Sequence, residues 1–116
     1  MKTFTCSLAT MVLLSSCGTT YRTYEIPDVA QSQTIILEKE PAQENIYSWS
    51  VIAKGNLVGE AEISVILDGE PYQTEFLSGE VDFQWSGDWY SDQAEILYTP
   101  TSVTDGTLSL EYRFYD

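Results

Sequence analysis

Three features of the sequence predict an all-β fold. Apolar and polar residues alternate with a period of two in run after run beyond residue 33, and Gly, Asp, Asn, Ser and Pro punctuate the runs. No stretch of about eleven residues or more places apolar residues at helical spacing. A length of 116 residues allows one small domain and no more.

The strands are expected in the following order. A first covers 34–39 and ends before Pro41. A second, over 46–54, sets Tyr47, Trp49, Val51 and Ala53 on one face and Ser48 and Ser50 on the other, with Gly55-Asn56 as the turn after it. A third, over 60–67, alternates Ala61, Ile63, Val65 and Leu67 with Glu60, Glu62 and Ser64. Asp68-Gly69 is the strongest hairpin signal, because both residues tolerate the positive φ that a two-residue turn demands. A fourth strand carries Tyr72, Thr74 and Phe76 on its apolar face and closes at Ser78-Gly79. A fifth sets Val81, Phe83 and Trp85 against Glu80, Asp82 and Gln84. Past Gly87-Asp88 a sixth holds Ala94, Ile96 and Tyr98 and stops at Pro100. After the loop 101–106 a seventh alternates Leu108, Leu110, Tyr112 and Phe114 with Ser109, Glu111 and Arg113.

About seven short antiparallel strands fit a two-sheet sandwich, immunoglobulin-like in outline, and a small closed β-barrel is the alternative. Trp49, Phe83, Trp85, Tyr112 and Phe114 are the expected core aromatics, each able to bury roughly 150–250 Å². Outward Glu and Asp serve solubility and keep strand edges from pairing with other chains.

The N-terminus has the three-part layout of a secretory signal: Met1-Lys2, an apolar run from Phe4 to Leu14, then small residues. The run is too short to span a bilayer, which needs about 20 apolar residues. Leu14-Ser15-Ser16-Cys17 resembles the lipobox of bacterial lipoproteins. The resemblance covers the first seventeen residues and does not extend to the domain behind them. It implies cleavage before Cys17 by a type II signal peptidase, a diacylglyceryl group on the Cys17 thiol and an acyl group on its amine. Cys6 would leave with the leader. An ordinary signal peptide cut elsewhere is the competing reading. Gly18, in place of the aspartate that retains such proteins in the inner membrane, points by the same resemblance to the outer membrane. The expected organisation is a cleaved signal over 1–16, a lipidated cysteine with a flexible tether over 17–33 that can become ordered near Tyr24 to Ile26, and a β-domain over 34–116.

Charge narrows the function. The chain has 5 basic and 18 acidic residues and a net charge of −13. Losing Lys2 with the leader would leave 4 basic and 18 acidic, or −14. Nucleic acid is excluded as a partner, because phosphate binding requires clustered Lys and Arg. There is no histidine, so Ser–His–Asp and Cys–His machinery is excluded. A glycosidase would need two carboxylates held across a cleft, and the sequence implies no cleft. A non-enzymatic role is expected.

The most distinctive patch is Trp85 to Asp92, where Trp89 and Tyr90 sit in an expected turn between Asp88 and Asp92. Exposed aromatic rings beside carboxylates suit a ligand surface, for a sugar or for a protein anchor. The competing reading folds one ring back to cap the core. Asp82, Asp88 and Asp92, with Glu95, form a weak candidate Ca²⁺ site, but their spacing matches no calcium loop. No other metal or cofactor is expected beyond the lipid on Cys17.

These expectations converge on a membrane-anchored envelope module that binds a protein with a basic surface. Carbohydrate binding through Trp89 and Tyr90 is one alternative. An inhibitory or blocking lipoprotein of phage or immunity type is another.

Overall fold

The computed structural model describes residues 20–116. The expected signal segment and the lipobox-like residues Leu14, Ser15, Ser16 and Cys17 lie outside the described residues. Six strands form the fold: β1 (Arg22–Glu25), β2 (Gln33–Glu38), β3 (Ser48–Leu67), β4 (Glu70–Asp88), β5 (Gln93–Pro100) and β6 (Asp105–Tyr115). All pairings are antiparallel, in one sheet with the order β1-β6-β3-β5-β2 and β4 on the other side of β3.

The all-β antiparallel expectation holds, while the strand count differs. Gly55-Asn56 and Ser78-Gly79 do not turn the chain. Both pairs lie inside continuous strands, so the expected second and third strands are one strand of 20 residues, and the fourth and fifth are one of 19. Gly55 is needed for close approach: a Cβ there would sit 2.1 Å from the Thr107 carbonyl oxygen of β6. Asp68-Gly69 does close a hairpin, with φ of 54° and 82°, as the left-handed preference of both residues dictates.

The connectivity forces the sheet to curl. β4 ends at Asp88 opposite Ser48, the first residue of β3, yet Glu95 near the start of β5 pairs with Ile66 at the far end of β3. A straight strand from Ser48 to Ile66 would span about 60 Å at about 3.3 Å per residue. The chain from Asp88 to Gln93 can reach no more than about 18 Å. β3 must therefore fold back on itself.

The bend lies at Val58 and Gly59. Leu57 faces Gly79 and Glu60 faces Ser78, so the two residues between have no counterpart in β4. Gly59 adopts φ +118°, and a Cβ there would lie 2.1 Å from the Ser102 carbonyl oxygen. At the same point β3 exchanges its other partner, pairing with β6 up to Val58 and with β5 from Ala61. The 101–104 loop holds the bend: Thr101 and Ser102 donate backbone N–H to the Glu60 carbonyl at 2.9 and 3.0 Å, and Thr104 to that of Val58 at 2.9 Å. The product is one curled antiparallel sheet, a half-barrel.

The inner face of the curl is the core. β3 contributes Trp49, Val51, Ile63 and Val65, β5 contributes Ile96 and Tyr98, and β6 contributes Leu108, Leu110 and Phe114, all buried. Trp85 is buried as expected, while Phe83 and Tyr112 are half-buried against the cluster. Tyr72 and Phe76 depart from expectation, at 60% and 79% exposed. The cause is register. Gln73 faces Val65 and Glu75 faces Ile63, whereas Ile66 faces Pro71, so Tyr72 is the extra residue of a bulge. One inserted residue reverses which face the following residues occupy. Leu67 at the hairpin end and Tyr47 ahead of β3 are likewise exposed.

The segment expected to be tether is also partly in the fold. β1 pairs with β6, Ile26 and Val29 are buried, and Ile26 N donates to Leu108 O at 3.0 Å. The ordering expected near Tyr24 to Ile26 is an edge strand whose backbone the sheet satisfies, and the ordering extends on to Val29. The two edges approach through side chains, with Gln33 Nε2 donating to Tyr24 Oη at 2.6 Å and the Arg22 guanidinium donating to the Glu38 carbonyl.

Two outcomes are expected. Trp85→Ala destabilises the domain by about 3–5 kcal/mol in denaturant unfolding, and a parental midpoint would refute the packing described. Tyr98 is fully buried, and its hydroxyl donates to Val29 O at 2.7 Å. Burial, aided by the charge of Asp28, pushes that phenol above its ordinary value. The unfolded chain therefore loses this proton first, near pH 10, so the stabilisation is complete below about pH 10 and is lost as pH rises through the folded value. Tyr98→Phe should cost about 1 kcal/mol at neutral pH and flatten the alkaline decline in melting temperature; an unchanged slope assigns that decline to other groups.

Candidate binding site

The curl brings the β3–β4 hairpin end beside the β4–β5 turn. Between them lies an open hollow of about 460 Å³ lined by Leu67 and Tyr72 from the hairpin and Asp88, Trp89, Tyr90 and Ser91 from the turn. Four of these were singled out in the sequence or adjoin residues that were. Leu67 and Tyr72 were not, because their outward placement depends on the bulge.

The two turn aromatics separate. Trp89 is buried at 5% exposure, stacked on Trp49 with ring centroids 4.5 Å apart and planes 27° apart. Its Nε1 donates to the Gln93 carbonyl at 3.1 Å, and its backbone N donates to the Tyr47 carbonyl at 3.2 Å. Trp49 in turn packs on Phe114 at 6.2 Å. Stacked rings of this kind are worth about 0.5–1.5 kcal/mol beyond their buried area. Trp89 thus caps one end of the core and shows only an edge to the hollow. Tyr90, next in the chain, is 73% exposed. With Tyr72 it supplies aromatic surface, Leu67 supplies aliphatic surface and Asp88 a carboxylate.

The turn is held firmly. The Asp92 carbonyl accepts from Lys39 N at 2.9 Å, Ser91 Oγ accepts from Gln93 N at 3.3 Å, and Ser48 Oγ donates to the Gly87 carbonyl at 2.9 Å. Asp92 therefore serves the site through its backbone, and it does not line the hollow.

The weak calcium candidate is corrected. Asp82 and Asp88 lie on one strand six residues apart, about 20 Å at strand spacing, and Asp82 sits opposite Lys54. Among the described residues no group of three or more His, Cys, Asp or Glu is placed to hold a metal ion. Six residues of extended chain keep these carboxylates apart.

A polar cluster on the outer face lay outside the sequence reading. Tyr21 Oη donates to Ser50 Oγ at 3.1 Å, and Gln84 Nε2 donates to the same oxygen at 2.8 Å. The Arg113 guanidinium lies 4.6 Å from the Tyr115 ring centroid and 5.9 Å from that of Tyr21. Hydrogen bonds with Ser50 and then Tyr115 draw the Tyr21 phenol below its ordinary value, while the bond to Tyr21 pushes Tyr115 above its own. The cluster pins the chain immediately before β1 across β6 and β3.

No protein-family model and no curated protein matches the chain. A solved structure of Bacillus endospore appendages, described as a novel family of disulfide-linked pili, is similar at 13% identity and a TM-score of 0.41, over 93% of this chain and 100% of that chain. At that score the likeness carries no functional meaning.

The two turn aromatics should respond oppositely to truncation. Trp89→Ala is expected to cost about 3–5 kcal/mol, and Tyr90→Ala to stay within about 0.5 kcal/mol of the parent. Chemical denaturation of both variants checks this, and equal losses would contradict the division between cap and surface.

Proposed function

We propose that the chain is a lipid-anchored, non-enzymatic envelope module that binds a partner protein, with the Tyr72–Tyr90 hollow as its contact site. The observation that carries the reading is the pair of exposed tyrosines, with Leu67, around a hollow in an acidic chain. Tyrosine is a preferred interface anchor, combining large apolar area with a polar tip. The surrounding negative charge suits a partner with a basic surface and speeds its approach. In this reading the two halves of the curled sheet act as the two layers of an immunoglobulin-like sandwich, and the outer membrane is the destination.

Anchoring through Cys17 rests on the lipobox. It has a geometric consequence. Tyr21 is tied into the fold by its hydrogen bond to Ser50, and four residue steps separate it from Cys17, a reach of at most about 14 Å. That is under two Debye lengths, each about 8 Å at physiological salt, so the acidic domain is held where anionic headgroups still repel it. The repulsion turns the most acidic surfaces away from the membrane and toward a partner.

Carbohydrate binding is the second reading, favoured by the Tyr72 and Tyr90 rings beside Asp88. The burial of Trp89 weighs against it, since the best stacking ring is occupied by Trp49.

Two measurements test the proposal. Mass spectrometry of protein purified from its native envelope should find acyl groups on an N-terminal Cys17, and Cys17→Ala should leave the protein unlipidated and released from membranes; an unmodified thiol removes the anchor. A photoreactive residue at position 90 should cross-link a basic partner protein, with capture reduced by Tyr72→Ala and by raised salt. Capture indifferent to Tyr72, or glycan binding lost on Tyr90→Ala, would overturn the protein-binding reading.

A further inference from the structure

β4 is paired on one side only. Its ladder runs to β3 throughout, and from Thr74 to Ser86 its other edge meets no backbone partner among the described residues. The hydrogen-bond pattern determines what that edge presents. Trp89 N donates to Tyr47 O, which commits the odd-numbered residues of the adjoining part of β4 to β3. Thr101 N donates to Glu60 O, which commits the even-numbered residues of distal β3 to β5 and its odd-numbered ones to odd-numbered residues of β4. In both halves, the N–H and C=O groups of the even-numbered residues of β4 point to open edge.

Those same residues carry side chains on the outer face. Phe76 is 79% exposed there, and Glu80, Asp82, Gln84 and Ser86 are exposed beside it. On the inner face Val81 and Trp85 are buried and Phe83, at the rim, is half-buried. No proline interrupts 72–88. Long edges with free backbone groups and exposed apolar residues accept added strands unless something prevents it.

Here the hindrance is charge of one sign. β4 carries Glu70, Glu75, Glu80, Asp82 and Asp88 and neither Lys nor Arg. A second copy laid along this edge would bring β4 acids close to β4 acids, which is destabilising. A cationic strand meets no such opposition.

We infer that the β4 edge from Glu80 to Ser86 docks an extended segment of a partner protein in which basic residues alternate with apolar ones. The segment adds as a further strand. Its main chain takes up the free groups of Glu80, Asp82, Gln84 and Ser86. Its basic side chains lie over Glu80 and Asp82 on the outer face, and its apolar side chains continue the inner row past Phe83. Main-chain bonds supply affinity and alternate side chains supply specificity. The inference rests on the protein-binding reading above and names a second contact for the same partner class.

An alternating Lys-Val peptide of roughly ten residues, the length of a long strand, titrated into the full chain tests it, with amide hydrogen exchange followed by NMR. Slowed exchange at Glu80, Asp82, Gln84 and Ser86 is expected on saturation. Affinity should fall about tenfold or more in Glu80→Lys/Asp82→Lys, whose side chains are exposed. A Glu-Val peptide should not bind, and a Lys-Val peptide N-methylated at alternate residues should lose binding despite its unchanged charge. Equal binding of the N-methylated peptide, or unprotected amides at those four positions, overturns the edge assignment. If a partner is still cross-linked at position 90 after such a result, the protein-binding reading survives; if neither occurs, both fall.

Discussion

The bend in β3 is the constraint on which the rest of the molecule depends. A strand of 20 residues with hydrogen-bonded neighbours on both sides is ordinarily a stiff, gently twisted ribbon. Val58 and Gly59 interrupt its ladder to β4, and Gly59 takes a backbone conformation that side chains rarely adopt. The interruption alone would leave a loose hinge. The 101–104 loop makes it a fixed corner by occupying the Glu60 and Val58 carbonyls that the corner exposes. Because the Ser102 backbone lies where a Gly59 side chain would stand, corner and loop require each other.

The candidate binding site follows from that corner. It returns the hairpin end toward the beginning of β3, so that a four-residue turn can connect β4 to β5. It sets Leu67 and Tyr72 opposite Tyr90, residues at the two ends of one strand pair. It also closes the core from the inside, where Ile63, Val65, Ile96 and Tyr98 of one half meet Trp49, Val51 and Leu110 of the other. Trp89 seals the end where the halves come together, and that explains why a ring in a short polar turn is buried.

The same architecture leaves β4 exposed. β3 has neighbours on both sides, and the short edges of β1 and β2 are drawn toward one another by side-chain hydrogen bonds. Among the described residues β4 alone is a long strand with a bare side. Its acids have two consequences in the docking inferred above: they oppose pairing with a second copy and favour a basic segment. A net charge of −13 thus acts at a definite place in the fold as well as on solubility.

Several parts of this protein were legible in the sequence, for reasons that can be stated residue by residue. Period-two alternation reported the strands, because side chains alternate faces wherever a pleated backbone lies on a core. Asp68-Gly69 reported its turn, because the left-handed conformation is a local property of those residues. Trp49, Trp85 and Phe114 were recognisable as core from their place in that alternation, and the unusual clustering of Trp89, Tyr90 and Asp88 marked the candidate site. The tertiary structure alone decided the rest. Gly55-Asn56 has turn composition but sits where β4 and β6 hold the backbone extended, since ladder hydrogen bonds outweigh a weak local preference; Ser78-Gly79 lies opposite the corner, where Gly79 takes φ 66° without ending its strand. The face of Tyr72 and Phe76 depends on a one-residue bulge, which changes no residue type. The burial of Trp89 and the meeting of Tyr72 with Tyr90 depend on the corner at Gly59, where chain segments far apart in sequence compete for the same space.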